Sequence, residues 1–258
     1  MDKRVGLGPQ TPDQKTSTDQ GVVDLADARV RLRSRPRPSN ESLMSELDEV
    51  RSLLDQGLST EAKERLTSLI STARNYPSVL ALARCALSVA LEQQGHYRDS
   101  LAAVAMYESP ESRHKLDDQT VSYLRVQIGL GYNYNGDHPK AIALLNSTLR
   151  DCSESGVANL GHIYAALSRV YRTISEYPIA RDYAQRALEN FRQNGDWRGL
   201  AESYFGVGVA DIQEGNYESG LENLEQALKL IGDRPAAYVL GRTYGNMISS
   251  ALPAASAS

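Results

Sequence analysis

A short phrase that recurs five times limits what this chain of 258 residues can fold into. Its copies are QGLSTEAKERL from residue 56, QGHYRDSLAAV from 94, NGDHPKAIALL from 135, SEYPIARDYAQRAL from 175 and EGNYESGLENLEQAL from 214. Alignment puts residues 57, 95, 136, 175 and 215 at one position, so the spacing is 38 to 41 residues. A period near 40 residues with two apolar helices per unit is typical of a helical solenoid, in which each repeat packs on its neighbours.

Each unit predicts two helices joined by a tight turn. Before the turn, apolar residues recur at helical spacing, as Leu43, Leu47 and Val50 do in the first unit. Glycine at the turn position ends this helix because it adopts the left-handed conformation without a side-chain clash. Five residues later a small residue allows the second helix to approach the first closely. These small residues are Ala62, Ser100, Ala141, Ala180 and Gly220.

The order of large, small, aromatic and glycine positions resembles the tetratricopeptide repeat. The best matches are Ile128-Gly129, Tyr132, Gly136 and Ala141 in the third unit, and Val207-Gly208, Gly215, Tyr217 and Ala227 in the fifth. The spacing is similar to the long-repeat sub-group of bacterial regulators and kinesin light chains. The family's first-helix tryptophan is absent, and Arg84 and Arg125 stand in its place in two units. The resemblance implies an all-α fold, a right-handed superhelical solenoid of tandem helical hairpins.

Three regions follow from this organisation. Residues 1–38 are a polar, arginine-rich leader that we expect to be disordered. Residues 39–252 form five hairpins and one C-terminal helix over 235–252, and residues 253–258 are a tail. Because an array normally ends in a polar capping helix, this ending favours excision from a longer protein, with self-association through the C-terminal helix as the alternative.

Composition and motifs argue against several function classes. The longest apolar run, residues 79–91, is too short to span a bilayer, and the N-terminus lacks a secretory signal pattern, so we expect a cytoplasmic protein without a membrane partner. No HExxH, GxxxxGK or GxSxG motif occurs. The glycines of 129–136 and 206–215 are explained by close helix packing better than by phosphate binding. We therefore predict no enzyme activity, cofactor, metal or catalytic residue, and two reduced cysteines, Cys85 and Cys152.

The resemblance also implies where a ligand would bind, because first helices line the concave side of a tetratricopeptide array. Helical projection of the first helices of units three to five gives ten candidates: Tyr123, Val126, Leu130, Asn133, Tyr134, His162, Arg169, Arg172, Phe205 and Val209. They favour a peptide or protein segment with apolar side chains and an acidic group that meets Arg169 and Arg172. The alternative is that Tyr123, Val126, Leu130 and Phe205 simply pack against neighbouring helices.

The family's carboxylate clamp for the acidic tails of chaperones does not fit these residues. Five of its six matching positions lack the polar or basic side chain required: Leu47, Cys85, Val126, Val89 and Leu130, with Arg51 as the sixth. The expected role is thus a non-catalytic interaction scaffold or sensing module, as part of a larger regulator.

The leader supplies the second hypothesis. Arginines at 29, 31, 33, 35 and 37 alternate with Val, Leu, Ser or Pro. They suit nucleic-acid phosphates, a membrane surface or an acidic groove including the protein's own, or no partner at all if the leader is a solubilising tail. A nucleic-acid-associated regulator is therefore the alternative function, and an intramolecular contact of residues 28–38 with the helical body is a further expectation.

Overall fold

The computed structural model describes residues 38–157 and 160–234, together with Gly241 and Thr243. These residues are helical and contain no strand, which confirms the all-α solenoid predicted from the repeat. The hairpins lie in the second of the two contact units into which the chain divides, residues 39–258. The arginines of the leader and nearly all of the predicted helix over 235–252 lie outside the described residues, so the hypotheses that depend on them stay predictions.

Five hairpins make up the described array. Their first helices are α1 (Asn40–Asp55), α3 (Pro77–Gln93), α6 (Asp118–Tyr134), α8 (Gly161–Thr173) and α10 (Trp197–Gln213). Their second helices are α2 (Ser59–Thr72), α4 (Tyr97–Ala105), α7 (His138–Glu154), α9 (Tyr177–Asn194) and α11 (Tyr217–Ile231). A 3₁₀ turn at Ala73–Asn75 follows α2, and the single-turn helix α5 (Pro110–Arg113) lies between α4 and α6. Each first helix also packs on the first helix of the next hairpin, which builds one continuous wall.

The hairpin turn has the same backbone conformation in every described repeat. Gly57, Gly95, Gly136 and Gly215 have φ values of 77°, 77°, 85° and 87°. Ser175 holds this position in the fourth hairpin with φ 64°, and it is the one non-glycine residue with positive φ in the described part of the chain. The predicted role of the turn glycine is thereby confirmed, with a strained exception at Ser175.

Close approach of the two helices explains the small residues five positions after the turn. Ala62, Ser100, Ala141 and Ala180 are fully buried. At the fifth crossing, a Cβ added to Gly220 would lie 2.9 Å from the carbonyl oxygen of Gly208. A larger residue at these positions would separate the two helices of a hairpin.

Arg84 and Arg125 stand where the tetratricopeptide repeat has a tryptophan, and each joins the two helices of its hairpin by hydrogen bonding. The Nη1 of Arg84 donates to the carbonyl oxygen of Ala103 at 3.1 Å. The Nη2 of Arg125 donates to Ser147 Oγ at 2.7 Å, and its Nη1 pairs with Asp151. The guanidinium groups thus satisfy polar atoms of the second helix while their alkyl stems cover apolar surface. Both cysteines are free, Cys152 buried and Cys85 half-buried, and no helix among the described residues is long and apolar enough to cross a membrane.

We predict that Ser175→Gly stabilises the protein by about 0.5–1 kcal/mol, because glycine removes the clash of a Cβ in the left-handed conformation. Urea denaturation measures the free energy of unfolding. The matched control is Gly136→Ser, which introduces the same strain in the third hairpin and should lower stability by a similar amount. Equal stability of wild type and Ser175→Gly would contradict the strain.

Candidate functional site

The ten predicted residues all lie on the first-helix wall of the third to fifth hairpins, and burial divides them into two groups. Five are buried: Val126, Leu130, Asn133, Phe205 and Val209. Val126 and Leu130 pack in a core shared by the second to fourth hairpins, and Phe205 and Val209 pack with Leu224 in the fifth. The other five are half-buried: Tyr123, Tyr134, His162, Arg169 and Arg172. A ligand that leaves the helices in place can reach only the second group.

Arg169 lies at the centre of the half-buried group. Its Nη1 donates to the hydroxyl oxygen of Tyr134 at 2.9 Å, and its Nη2 lies 3.7 Å from Glu202 Oε2. The Tyr134 oxygen beside it is the largest cause of the raised pKa of Arg169, and Glu202 also raises it, so the guanidinium stays charged. The site therefore holds a permanent positive charge that is oriented by partners on two neighbouring helices, α6 and α10.

Aromatic rings contact two other residues of the half-buried group, Arg172 and His162. The guanidinium of Arg172 lies 5.8 Å from the ring centre of Phe205, within the range of a cation–π contact. Further along the wall, His162 lies between Tyr123 at 4.9 Å and Phe191 at 5.0 Å, measured between ring centres. Burial lowers the pKa of His162, which favours a neutral imidazole at physiological pH. The wall therefore combines apolar rings with the positive charges of Arg169 and Arg172.

Glu92 on α3 is a half-buried acid that is not among the ten predicted residues. Ser100 Oγ donates to its carboxylate at 3.2 Å, and the side-chain amide of Gln127 donates to the same oxygen. Burial raises the pKa of Glu92 to about 7, although Arg169 opposes this. The signal in the sequence is the one acidic residue of α3, but its raised pKa depends on burial by the surrounding helices.

One ion pair joins hairpins that are distant in the chain. Arg198 at the start of α10 donates to Asp55 at the end of α1, across 143 positions of sequence. Burial raises the pKa of Asp55, and Arg198 partly offsets this effect. No repeat spacing predicts such a contact, because it depends on how the hairpin-to-hairpin rotations add up over the array.

Two hollows adjoin the hairpins of the C-terminal half. A cavity of about 20 Å³ lies between α8 and α10 and is lined by Ser168, Arg169, Arg172, Glu202, Ser203 and Gly206 among others. A wider, open hollow on α9 to α11 surrounds Asp211, whose carboxylate already accepts hydrogen bonds from Arg181 at 2.7 Å and Ser219 at 2.8 Å. Since the acid in the open hollow is satisfied by its neighbours, the first-helix wall is the stronger candidate.

Metal chemistry has no support in this part of the chain. Among residues 38–157, 160–234, 241 and 243, no three His, Cys, Asp or Glu side chains cluster in a way that could hold a metal ion. The donors on the wall are guanidinium, hydroxyl and amide groups, which suit anionic and polar ligands.

We predict that Glu92 makes stability depend on pH. Its folded-state pKa of about 7 lies above its ordinary 4.5, so the native state holds a proton that the unfolded state releases between these values. Stability should fall as pH rises through this window, by up to roughly 3 kcal/mol from this group. Glu92→Gln should remove this decline, as measured by urea denaturation from pH 4.5 to 8.

The control for this prediction is Glu64→Gln on the exposed face of α2, which removes the same charge without burial. It should leave the pH profile of stability as in the wild type. Parallel profiles of wild type and Glu92→Gln would contradict the raised pKa.

Comparison with known proteins adds a family and a fold. Residues 120–193 match the model of the tetratricopeptide repeat family. PlcR of Bacillus thuringiensis, solved in complex with the peptide PapR7 and DNA, has a TM-score of 0.65 and 14% identity over 83% of this chain and 78% of its own. The apo form of RapI has a TM-score of 0.55 and 13% identity over 87% of this chain and 88% of its own.

A third similar structure is the STAND protein PH0952 of Pyrococcus horikoshii, a signal transduction ATPase with a tetratricopeptide repeat sensor. Its TM-score is 0.60 with 16% identity, over 88% of this chain but only 31% of that protein. This chain therefore spans about a third of the larger protein. At these identities the likeness shows the fold alone, and no curated protein sequence matches the chain.

Proposed function

Because residues 120–193 match the tetratricopeptide repeat family and the described hairpins have that family's fold, we propose that this chain is a non-catalytic interaction module that receives a peptide or protein segment on the first-helix wall of its third to fifth hairpins. The observation that carries the proposal is the half-buried Arg169, held at 2.9 Å from Tyr134 and 3.7 Å from Glu202. An arginine oriented by partners on both neighbouring helices binds an incoming carboxylate with little loss of side-chain freedom.

The neighbouring rings supply the apolar part of recognition. Tyr123 and His162 are half-buried and contact one another, and Tyr134 adds a third half-buried ring on the same wall. Rigid aromatic side chains offer a large contact area at low cost in conformational entropy. A segment that combines apolar side chains with one acidic group therefore fits the surface.

Two of the similar structures support a peptide-sensing role. PlcR is solved with a bound peptide, and the array of PH0952 is described as a sensor. By analogy of fold, we propose that this chain forms the sensing part of a larger regulator. The match to less than a third of PH0952 agrees with a module that is joined to other domains.

Binding rather than catalysis is also favoured by the histidines of the hairpins. His138 contacts Asn133 at 3.0 Å, His114 contacts the carbonyl oxygen of Glu111 at 2.6 Å, and His162 packs between rings. Each has a local structural role. The alternative of a nucleic-acid-associated regulator depends on arginines 29–37, which lie outside the described residues, and it stays a prediction.

We predict that the double variant Arg169→Ala/Arg172→Ala binds the partner of the wild-type protein at least roughly 30-fold more weakly. The affinity falls because two charge-assisted contacts disappear. Affinity pull-down followed by titration calorimetry with the captured segment measures this. Circular dichroism of the variant verifies that the helices remain.

The matched control removes two arginines from the second helix of the same hairpin. Arg186→Ala/Arg192→Ala changes the net charge equally at exposed positions of α9 and should keep the partner. A partner that binds the first double variant as tightly as the wild type would rule out the proposed surface. Loss of the partner in both variants would assign binding to net charge.

A further inference from the structure

Gly206 on α10 differs from every other helical glycine between residues 38 and 234. At the others an added Cβ would lie under 3.0 Å from a neighbouring atom, so that atom would have to shift; these are Gly129, Gly131, Gly161, Gly199, Gly208 and Gly220. At Gly206 the nearest atoms would be Arg172 Nη1 and Ser168 Oγ, both at 3.8 Å. Packing therefore does not require this glycine, although alanine would favour the helix.

Ser203, one turn earlier on α10, has a second property that packing does not explain. The residue is 3% exposed, and its hydroxyl oxygen has no hydrogen-bond partner among the described protein groups. A buried hydroxyl without a partner destabilises a fold, and alanine would remove this cost. Gly206 and Ser203 line the same cavity of about 20 Å³ between α8 and α10.

The chemistry of this cavity is that of a receptor for a small anionic group. Its polar lining consists of the hydroxyls of Ser203 and Ser168, which can donate, the guanidinium groups of Arg169 and Arg172, and one acidic side chain, Glu202. Ala165, Ala184 and Phe205 supply the apolar part of the lining. Glu202 lies 3.7 Å from Arg169, a distance at which it orients the guanidinium without using it fully. The two guanidinium groups therefore leave this cavity with more positive than negative charge in its lining.

From this geometry we propose that the cavity between α8 and α10 is a seat for a single carboxylate, with Ser203 as its buried donor and Gly206 as the residue that keeps it open. The proposal rests on the proposed function, since Arg169 and Arg172 belong to both, and it names the group of the partner segment that enters. A cavity of about 20 Å³ has room for about one water-sized group, so one carboxylate oxygen enters it while the rest of the ligand stays on the wall, and an aromatic ring does not fit.

The site is distinct from the family's carboxylate clamp. The clamp positions lie at Leu47, Cys85, Val126 and their partners in the first three hairpins, and most carry apolar side chains. The cavity instead lies between the fourth and fifth hairpins and uses serine hydroxyls from α8 and α10. Recognition here would select one acidic group within a segment rather than an acidic tail.

Small carboxylates test the seat without the unknown partner. Sodium acetate, N-acetylglycine as a chain-end carboxylate and N-acetylaspartate methylamide as a side-chain carboxylate are titrated against isotope-labelled protein, with acetamide and sodium chloride as neutral and ionic controls. We expect saturable shifts of the Nε–H signals of Arg169 and Arg172 with Kd of roughly 1–100 mM, as befits so few atoms. The tighter of the two amino-acid probes identifies the source of the carboxylate.

The decisive variant is Gly206→Ala, whose methyl group enters the cavity without a clash. It should raise Tm by about 2–4 °C through helix propensity and weaken acetate binding at least ~10-fold. Ser203→Ala should weaken binding about 3–10-fold without lowering Tm, because it removes one donor and one buried polar group. A gain in stability with a loss of binding cannot arise from damage to the fold.

Two results would overturn the proposal: shifts that stay linear in acetate concentration for the wild type, or an unchanged acetate Kd in Gly206→Ala. Either result leaves the proposed function intact if the captured partner still requires Arg169 and Arg172. In the converse case, acetate binding is weakened by Gly206→Ala and Ser203→Ala as expected, while no partner depends on Arg169 and Arg172. That outcome would refute the proposed function and support the carboxylate site.

Discussion

The crossing of the two helices within each hairpin is the constraint on which the array depends. Fully buried Ala62, Ser100, Ala141 and Ala180, and the Gly208–Gly220 contact in the fifth hairpin, set how closely the helices approach. That distance determines how far each first helix stands from the next and therefore the form of the wall that they build. The arginine cluster is a consequence of this wall: Arg169 touches α6 and α10 because its own helix packs between them.

Sequence reasoning predicts the periodic part of this structure well. Turn glycines, small crossing residues and apolar helix faces recur every 38 to 41 residues, so each repeat supports the interpretation of the others. The wall position of the ten candidates could be projected from the same period. Their burial could not, because Val126 and Phe205 occupy wall positions like those of Tyr123 and Arg169, and only the tilt of neighbouring hairpins decides which side chain is covered.

Non-periodic features are the ones that the sequence conceals. Asp55 and Arg198 are 143 positions apart, and the raised pKa of Glu92 results from its burial, which outweighs the opposing hydrogen bonds from Ser100 and Gln127. A solenoid is stabilised mainly by contacts between neighbouring repeats. A single ion pair at the surface between the first and fifth hairpins adds little to the free energy of unfolding. It instead links the two ends of the wall, and any change in curvature of the array must stretch or release it.

The two glycines of the Gly206-Val207-Gly208 segment show why one motif can contain a structural and a functional residue. From sequence alone both are explained by helix packing, and for Gly208 the explanation holds, because a Cβ would lie 2.8 Å from the Gly220 carbonyl oxygen. For Gly206 the same atom would have room. Alanine at position 206 would favour the helix, and alanine at position 203 would remove a buried hydroxyl without a partner. Gly206 and Ser203 therefore both make the protein less stable than alanine would at these two adjacent turns. Features that cost stability and are not required by packing are the places where function is the better explanation.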